Sequence, residues 1–336
     1  MATATPMTLQ SAADLIDLSI QKIQKKQTNL ELEVAKDLYN QTTTSDYYEK
    51  DSSLSGFGEA SRMTENAIII SETPVQGYDK TYTQVFFGNM ASFSKYEWKF
   101  GISKRKLESV AADLPKSVIR KRERLLTEYL ENSTGSTTSY TAQDGAGNYS
   151  KTVTGGDSLA LINSAHTRED GGSTWSNVIS DGTTSNMDFA PDALRAAYRT
   201  ASLIRDPKGN LMNINPEVFV CRKGSSIYFD AMEINGALKK NFKPQSADKD
   251  GAPFGAFDVV ALPYLSTTAQ AYWWMFDRSL KGPSYGLQYF ESQPVMTDKP
   301  DTDYKTKTIY ITAHAAFDYG HNDGRNWQAS TGTNAA

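Results

Sequence analysis

Residues 132–186 constrain this chain most. Of their 55 positions, 37 are Ser, Thr, Gly, Asn or Asp. So polar a stretch cannot supply a core of its own, and a connection this long without regular structure usually has a function. Only 158–165 (SLALINSA) interrupts it with apolar side chains. The expectation is a mobile or partner-supported excursion pinned by that insert, on a chain whose core comes from elsewhere.

The rest of the chain can supply that core. Of 336 residues, 39% are hydrophobic and 22% charged, near the averages of globular proteins, which excludes wholesale disorder. The length fits one to three domains. Lys and Arg number 35 against 39 Asp and Glu, and a net charge of −4 argues against a protein built mainly to neutralise nucleic acid. A single cysteine, Cys221, excludes an internal disulfide and a multi-cysteine zinc site, and three histidines are too few for a His-rich metal site. No run of apolar residues is long enough for a membrane-spanning helix. The first residues lack a basic stretch followed by an apolar one, so no secretory signal is expected.

Periodicity places the elements. Ile16, Ile20, Ile23, Leu30, Val34 and Leu38 recur at helical spacing and predict a helix over 9–39, with a wide polar face that needs a partner. The pattern breaks at 41–46. Residues 51–66 read as loop, 67–70 as a short strand, 76–80 as turn and 82–87 as strand. Tyr96, Trp98, Phe100 and Ile102 alternate with Lys95, Glu97, Lys99 and Gly101, the period of two that predicts a strand over 95–102. Helical spacing returns over 103–131, where Pro115 predicts a kink or a second helix start. The basic face of that helix (Lys116, Arg120, Lys121, Arg122, Arg124) is either solvated or a charged subunit contact.

Beyond the polar stretch, 191–204 reads as a helix opened by Pro191 and stopped at Asp206-Pro207-Lys208-Gly209. Residues 216–222 read as a buried strand, and 225–235 as a helix with Gly236 just past its end. Strands are expected over 257–265, 272–277, 287–297 and 305–319, with a fraying tail after Trp327. Helices and strands interleave without a regular βαβ series, which makes the fold class α+β.

No residue is nominated for catalysis, cofactor binding or metal binding. Cys221 lies inside the apolar run Val218-Phe219-Val220 and reads as a small hydrophobe. His166, with Glu169 and Asp170 nearby in sequence, lacks further metal ligands and reads as a hydrogen-bonded structural residue. His314 in a strand and His321 in a turn with Asp323 read the same way. No nucleophile elbow and no Gly-rich nucleotide loop is present. Trp273-Trp274 in a strand sends one indole to each face, and an aromatic content of 11% points to a large buried area, within the core or against a partner.

Three stretches together resemble a known family. Gly156-Asp157-Ser158-Leu159-Ala160-Leu161-Ile162-Asn163-Ser164-Ala165-His166 looks like the G-x-x-L-F-x-x-x-H segment of Mu-like major capsid proteins, with Leu161-Ile162 in place of the usual aromatic. The helix from Pro191 to Ile204, the loop Asp206-Pro207-Lys208-Gly209-Asn210 and the strand Val218 to Cys221 are similar to the axial-domain helix, loop and strand of tailed-bacteriophage major capsid proteins with the HK97-like fold. The ending Ala315-Ala316-Phe317-Asp318-Tyr319-Gly320, then Arg325-Asn326-Trp327, resembles their closing strand.

The resemblance spans about residues 51–330 and implies a layout. Residues 1–50 would be an N-terminal arm, 51–95 an extended E-loop, and 96–188 with 287–320 a peripheral domain carrying the spine helix 103–131. Residues 189–286 would be an axial domain, and 321–336 a closing strand and tail. It implies a non-enzymatic protein of the virion, assembled in the bacterial cytoplasm, whose main partner is itself, as hexamers and pentamers of an icosahedral shell around double-stranded DNA. The DNA would be contacted non-specifically and no membrane would be involved. A separate scaffolding protein is expected, because about 50 residues ahead of the E-loop are short for a built-in scaffold. A portal protein and cement proteins complete the implied partners. Lys80 would lie in the E-loop and reads as a surface lysine. Outside this reading stand a cellular nanocompartment shell of the same fold and, from another class, an extracellular carbohydrate-active or carbohydrate-binding protein.

Overall fold

The structure, a computed structural model, describes residues 33–54, 56–60, 62–63, 65, 71, 73–74, 76–96, 104–135, 137–143, 148–239, 257–283 and 285–332. The expected strand 67–70 and all but the end of the expected helix 9–39 lie outside these residues. Two sheets organise what is described. The larger contains β1 (Asn40–Thr43), β10 (Leu287–Thr297), β12 (Thr308–His321) and β11 (Asp301–Thr302) in that order, with β4 (Val85–Ser94) also paired to β12. β1 runs parallel to β10, while β10 and β4 flank β12 antiparallel, with Leu287 opposite His321 and Val85 opposite Phe317. The smaller sheet has the order β13 (Trp327–Ser330), β9 (Trp273–Phe276), β7 (Val218–Arg222), β8 (Asp258–Leu262).

The long helix α1 (Lys104–Asn132) is continuous through Pro115 rather than broken there. Its face Leu114, Val118, Leu125, Leu126, Tyr129 and Leu130 is buried in one cluster with Ile311, Ala313, Ala315, Phe317 and Tyr319, alternate residues of β12. The helical period of α1 and the strand period of β12 thus meet in a single apolar layer. The basic face of α1 is not wholly solvated. Arg122 is buried and pairs with Glu33 and, at 3.1 Å, with Glu291. Beside it, buried Glu123 accepts the N–H groups of Ala35 at 2.7 Å and Lys36 at 3.2 Å. Those contacts hold a 3-10 turn, Lys36–Leu38, where the sequence predicts regular helix.

Helices α2 (Pro191–Ser202) and α3 (Ser226–Lys239) belong to the smaller sheet. Trp274 joins the larger core while Trp273 joins Phe219, Cys221, Leu194 and Ala231 on the opposite face, as period two requires. Gly236 lies inside α3 rather than past its end, so its conformational freedom does not stop the helix. The predicted fraying tail is instead β13, with all its residues buried and Trp327 opposite Phe276. Small polar residues fit there because the ladder to β9 satisfies their backbone and Trp327 stacks on Phe276 at 4.4 Å.

Three further expectations change. Residues 76–80 are not a turn but the start of β3 (Gln76–Thr83), which pairs with β2 (Tyr48–Leu54), whose last four residues fall in the stretch read as loop. The ladder that makes them strands comes from a distant segment, which local turn chemistry cannot reveal. The expected break at 41–46 holds β1 up to Thr43. The strand predicted over 95–102 does not begin at Lys95, since β4 ends at Ser94. Lys95 and Tyr96 are already helical, and the remainder lies outside the described residues.

Candidate functional site

The polar segment is not an excursion. It contains a hairpin, β5 (Ser139–Gln143) with β6 (Asn148–Thr152), and then folds back over its own chain. Its polar residues close their own turns. Side chains accept the N–H two residues on: Asp157 from Leu159 at 3.0 Å, Asn163 from Ala165 at 3.0 Å, Asp170 from Gly172 at 2.9 Å and Asp181 from Thr183 at 2.7 Å. Such Asx bonds replace a ladder as backbone partners. Its few apolar residues anchor it: Val153, Leu161 and Ile162 enter the larger core, Ile179 the second, and Trp175 a small third. Buried Asn177 ties the coils together, accepting Asn163 N–H at 2.8 Å and donating to the Leu161 carbonyl at 2.7 Å.

Folded this way, the segment forms a seat for the root of the β2–β3 hairpin. The Lys80 ammonium donates to the Thr154 carbonyl at 2.6 Å, and burial followed by the neighbouring Lys151 charge pulls its pKa down. Lys80 is therefore a seated residue rather than a free surface lysine. Tyr78 and Thr167 share a hydroxyl bond at 2.8 Å, Ser53 donates to Glu169 at 3.4 Å, and Asn322 donates to the Tyr78 carbonyl at 3.2 Å. Thr83 N–H donates to Asp318 at 2.9 Å, and Asp318 also pairs with Lys151. Burial pushes the carboxyl of Asp51, opposite Lys80 in the ladder, up to about 6.

Beneath the root lies a buried charged cluster. Arg325, with 2% of its side chain exposed, pairs with Glu169 at 3.0 Å and with Asp323, and its Nε donates to the Arg205 carbonyl at 2.9 Å. Its guanidinium also sits 5.2 Å from the Trp175 ring. Burial lowers the Arg325 pKa, but the Asp323 and Glu169 carboxylates more than offset this and hold it above its ordinary value. Burial pushes the Asp323 carboxyl up while Arg325 opposes the shift.

His166 bonds Asp157 at 2.6 Å and stacks on Trp175 at 4.3 Å, so its carboxylate partner is neither of its sequence neighbours. Burial raises the Asp157 pKa, but the His166 bond and charge bring it below the carboxylate range. Glu169 is committed to Arg325 and Asp170 to Arg168. Asp157, His166, Glu169, Trp175, Asp323 and Arg325 line a pocket of about 10 Å³, room for roughly one water. The arrangement can fix the geometry of three chain segments, and the cavity is too small to admit a substrate.

The remaining titratable candidates are dispersed. Buried His321 ends β12, bonds the Tyr129 hydroxyl at 2.7 Å, and is pushed down to about 3 by burial and then by Lys80. His314 faces Asp298 at 3.2 Å. Among the described residues, no group of three or more His, Cys, Asp or Glu could hold a metal ion. Cys221 is buried in the second core, and burial pushes its thiol up to about 12. A thiol reagent at neutral pH should therefore leave the native protein unlabelled and modify one cysteine after unfolding. Rapid labelling of the native chain would show that this core opens.

No family model matches the chain, and no curated protein does. Solved structures do. A chain in the capsid structure of the cyanophage P-SCSP1u superposes with a TM-score of 0.52 at 9% identity, over 88% of this chain and 87% of that one. A chain of mycobacterium phage Adephagia gives 0.50 at 10% identity, over 90% of each. The chain has the HK97-like capsid fold. Within this HK97-like fold the charged cluster joins hairpin root, polar segment and chain end. Arg325 was visible in the sequence only as part of the closing Arg325-Asn326-Trp327 and Asp157 only as part of the Mu-like segment, while His166 was read as a hydrogen-bonded structural histidine, which its bond to Asp157 bears out. Nothing local marked Glu169 as the partner of a residue 156 positions away.

Proposed function

We propose that this chain is a major capsid protein of a tailed phage, self-assembling as hexamers and pentamers into an icosahedral shell around double-stranded DNA. The observation that carries the reading is the fold match to the cyanophage capsid chain along nearly the whole length of both. The role is structural, with no catalytic step. The proposed layout keeps the arm in 1–50, the peripheral domain in 96–188 and 287–320, the axial domain in 189–286 and the closing segment in 321–336. The projecting part of the E-loop is the β2–β3 hairpin, since β4 belongs to the larger sheet. Exposed Phe57 and Met63, at 63% and 51%, suit a hairpin that is covered in the assembly by a neighbouring subunit. Heterologous contacts of that kind close into rings. A scaffolding protein, a portal, cement proteins and assembly in the bacterial cytoplasm belong to the same reading.

The test is electron microscopy of the full chain, purified alone and co-expressed with candidate scaffolding partners, with the nucleic-acid content of any particle measured. Ring-shaped capsomers or closed icosahedral particles are expected. A chain that stays monomeric in every condition overturns the proposal. Closed particles filled with protein rather than DNA would replace it with a nanocompartment shell.

A further inference from the structure

Arg168, Arg199 and Arg205 come from three separate places: the polar segment, α2 and the turn after it. Together they line one groove of about 600 Å³. Ser173, Thr174, Ser176 and Ser180 line it as well, and its one carboxylate is that of Asp181. That carboxylate is already engaged, accepting the N–H groups of Thr183 at 2.7 Å and Thr184 at 2.6 Å.

Each guanidinium has an anchor within the chain and donors to spare. Arg168 is held by Asp170, Arg199 by the Asp181 carbonyl at 3.3 Å, and Arg205 by the Gly209 carbonyl at 2.7 Å. A guanidinium carries more N–H groups than one such partner uses. Arg168 is set between two glycines: a Cβ on Gly172 or Gly209 would lie 2.6 Å or 2.5 Å from its guanidinium, so a side chain at either position would displace it.

We propose that this groove binds phosphate groups. Three guanidiniums from separate segments, with hydroxyls along the same groove, supply the charge-assisted donors that phosphate oxygens accept. The groove is larger than one phosphate, so a phosphate ester or a stretch of nucleic-acid backbone fits the same chemistry. The proposal concerns the isolated subunit and does not rest on the shell reading.

The test is calorimetric titration of the purified full-length chain with pyrophosphate and, separately, with a short oligothymidylate. Binding to at least one probe is expected, weakened about tenfold or more by Arg199→Gln with Arg205→Gln. Both residues are exposed, so the double variant should fold, which Cys221 protection checks. Arg195→Gln, on the same helix but outside the groove, should leave binding unchanged. Tighter binding of the oligonucleotide with a steeper salt dependence assigns the site to backbone phosphates. Equal or tighter binding of pyrophosphate assigns it to a small phosphate compound. No binding of either probe, or equal binding by the folded double variant, overturns the proposal. Particles formed by a chain that binds neither probe would overturn the groove alone.

Discussion

Arg325→Met is expected to lower the unfolding free energy of the subunit by about 3–5 kcal/mol, the largest loss foreseen for a single side chain here. Methionine keeps the apolar stem of Arg325 without its guanidinium, so the loss comes from the two ion pairs, the bond to the Arg205 carbonyl and the contact with the Trp175 ring. Arg325 lies between Glu169 and Asp323, whose side chains are only 5% and 8% exposed. Without the guanidinium, two carboxylates remain buried against each other, and each must stay charged at a desolvation cost or take up a proton.

The pH dependence follows from that choice. Folded-state carboxyl pKa values in the variant rise above their unfolded values, so the folded chain binds more protons in the window between them. Stability then falls as pH rises through that window, and the deficit against wild type shrinks on acidification. Denaturant unfolding at several pH values reads both effects. Adding Glu169→Gln and Asp323→Asn to Arg325→Met should recover most of the loss, because no buried charge is left unpaired. A deficit below about 1 kcal/mol at neutral pH, the range of exposed ion pairs, would show that water reaches the cluster.

The same cluster marks where sequence reading succeeds and where it stops. α1 and α2 were legible because each buries one face, which writes a period into the residues themselves, and β7 and β9 because each is buried on both faces and reads as a short continuous apolar run. The two indoles of Trp273 and Trp274 entered opposite cores for that reason. The polar segment defeated the same reasoning. Its order comes from Asx turns and from six or so anchoring side chains, and neither leaves a period. Residues 76–80 look like a turn because Gln76, Gly77 and Asp79 are common in turns, yet β2 supplies a ladder from more than twenty positions away. The seat of the hairpin was invisible for a related reason. It is made by Thr154, Thr167, Glu169 and Asn322, four residues with no local signal, brought together only once β12 has placed the chain end beside the segment.

The second large effect concerns assembly. Replacing residues 55–75 by Asn-Gly, so that Leu54 and Gln76 are joined by a tight turn, is expected to abolish ring-shaped capsomers and closed particles while the subunit stays folded. Leu54 and Gln76 are the last paired positions of the β2–β3 ladder, and Asn-Gly is the turn that right-handed strand twist favours. The root contacts of Tyr78, Lys80 and Ser53 all lie outside the deletion. Shortening the connection lowers its closure entropy, which should stabilise the isolated subunit by up to roughly 2 kcal/mol. Removed with it are Phe57 and Met63, the exposed apolar side chains that a neighbouring subunit would cover. Particle yield by electron microscopy, thermal unfolding and Cys221 protection are read on the same preparation. Loss of particles with Cys221 still protected places the defect in the contact between subunits. Normal particles from the shortened chain would mean that the hairpin tip clasps nothing, and the contacts that close the shell would then have to lie on the sheets themselves.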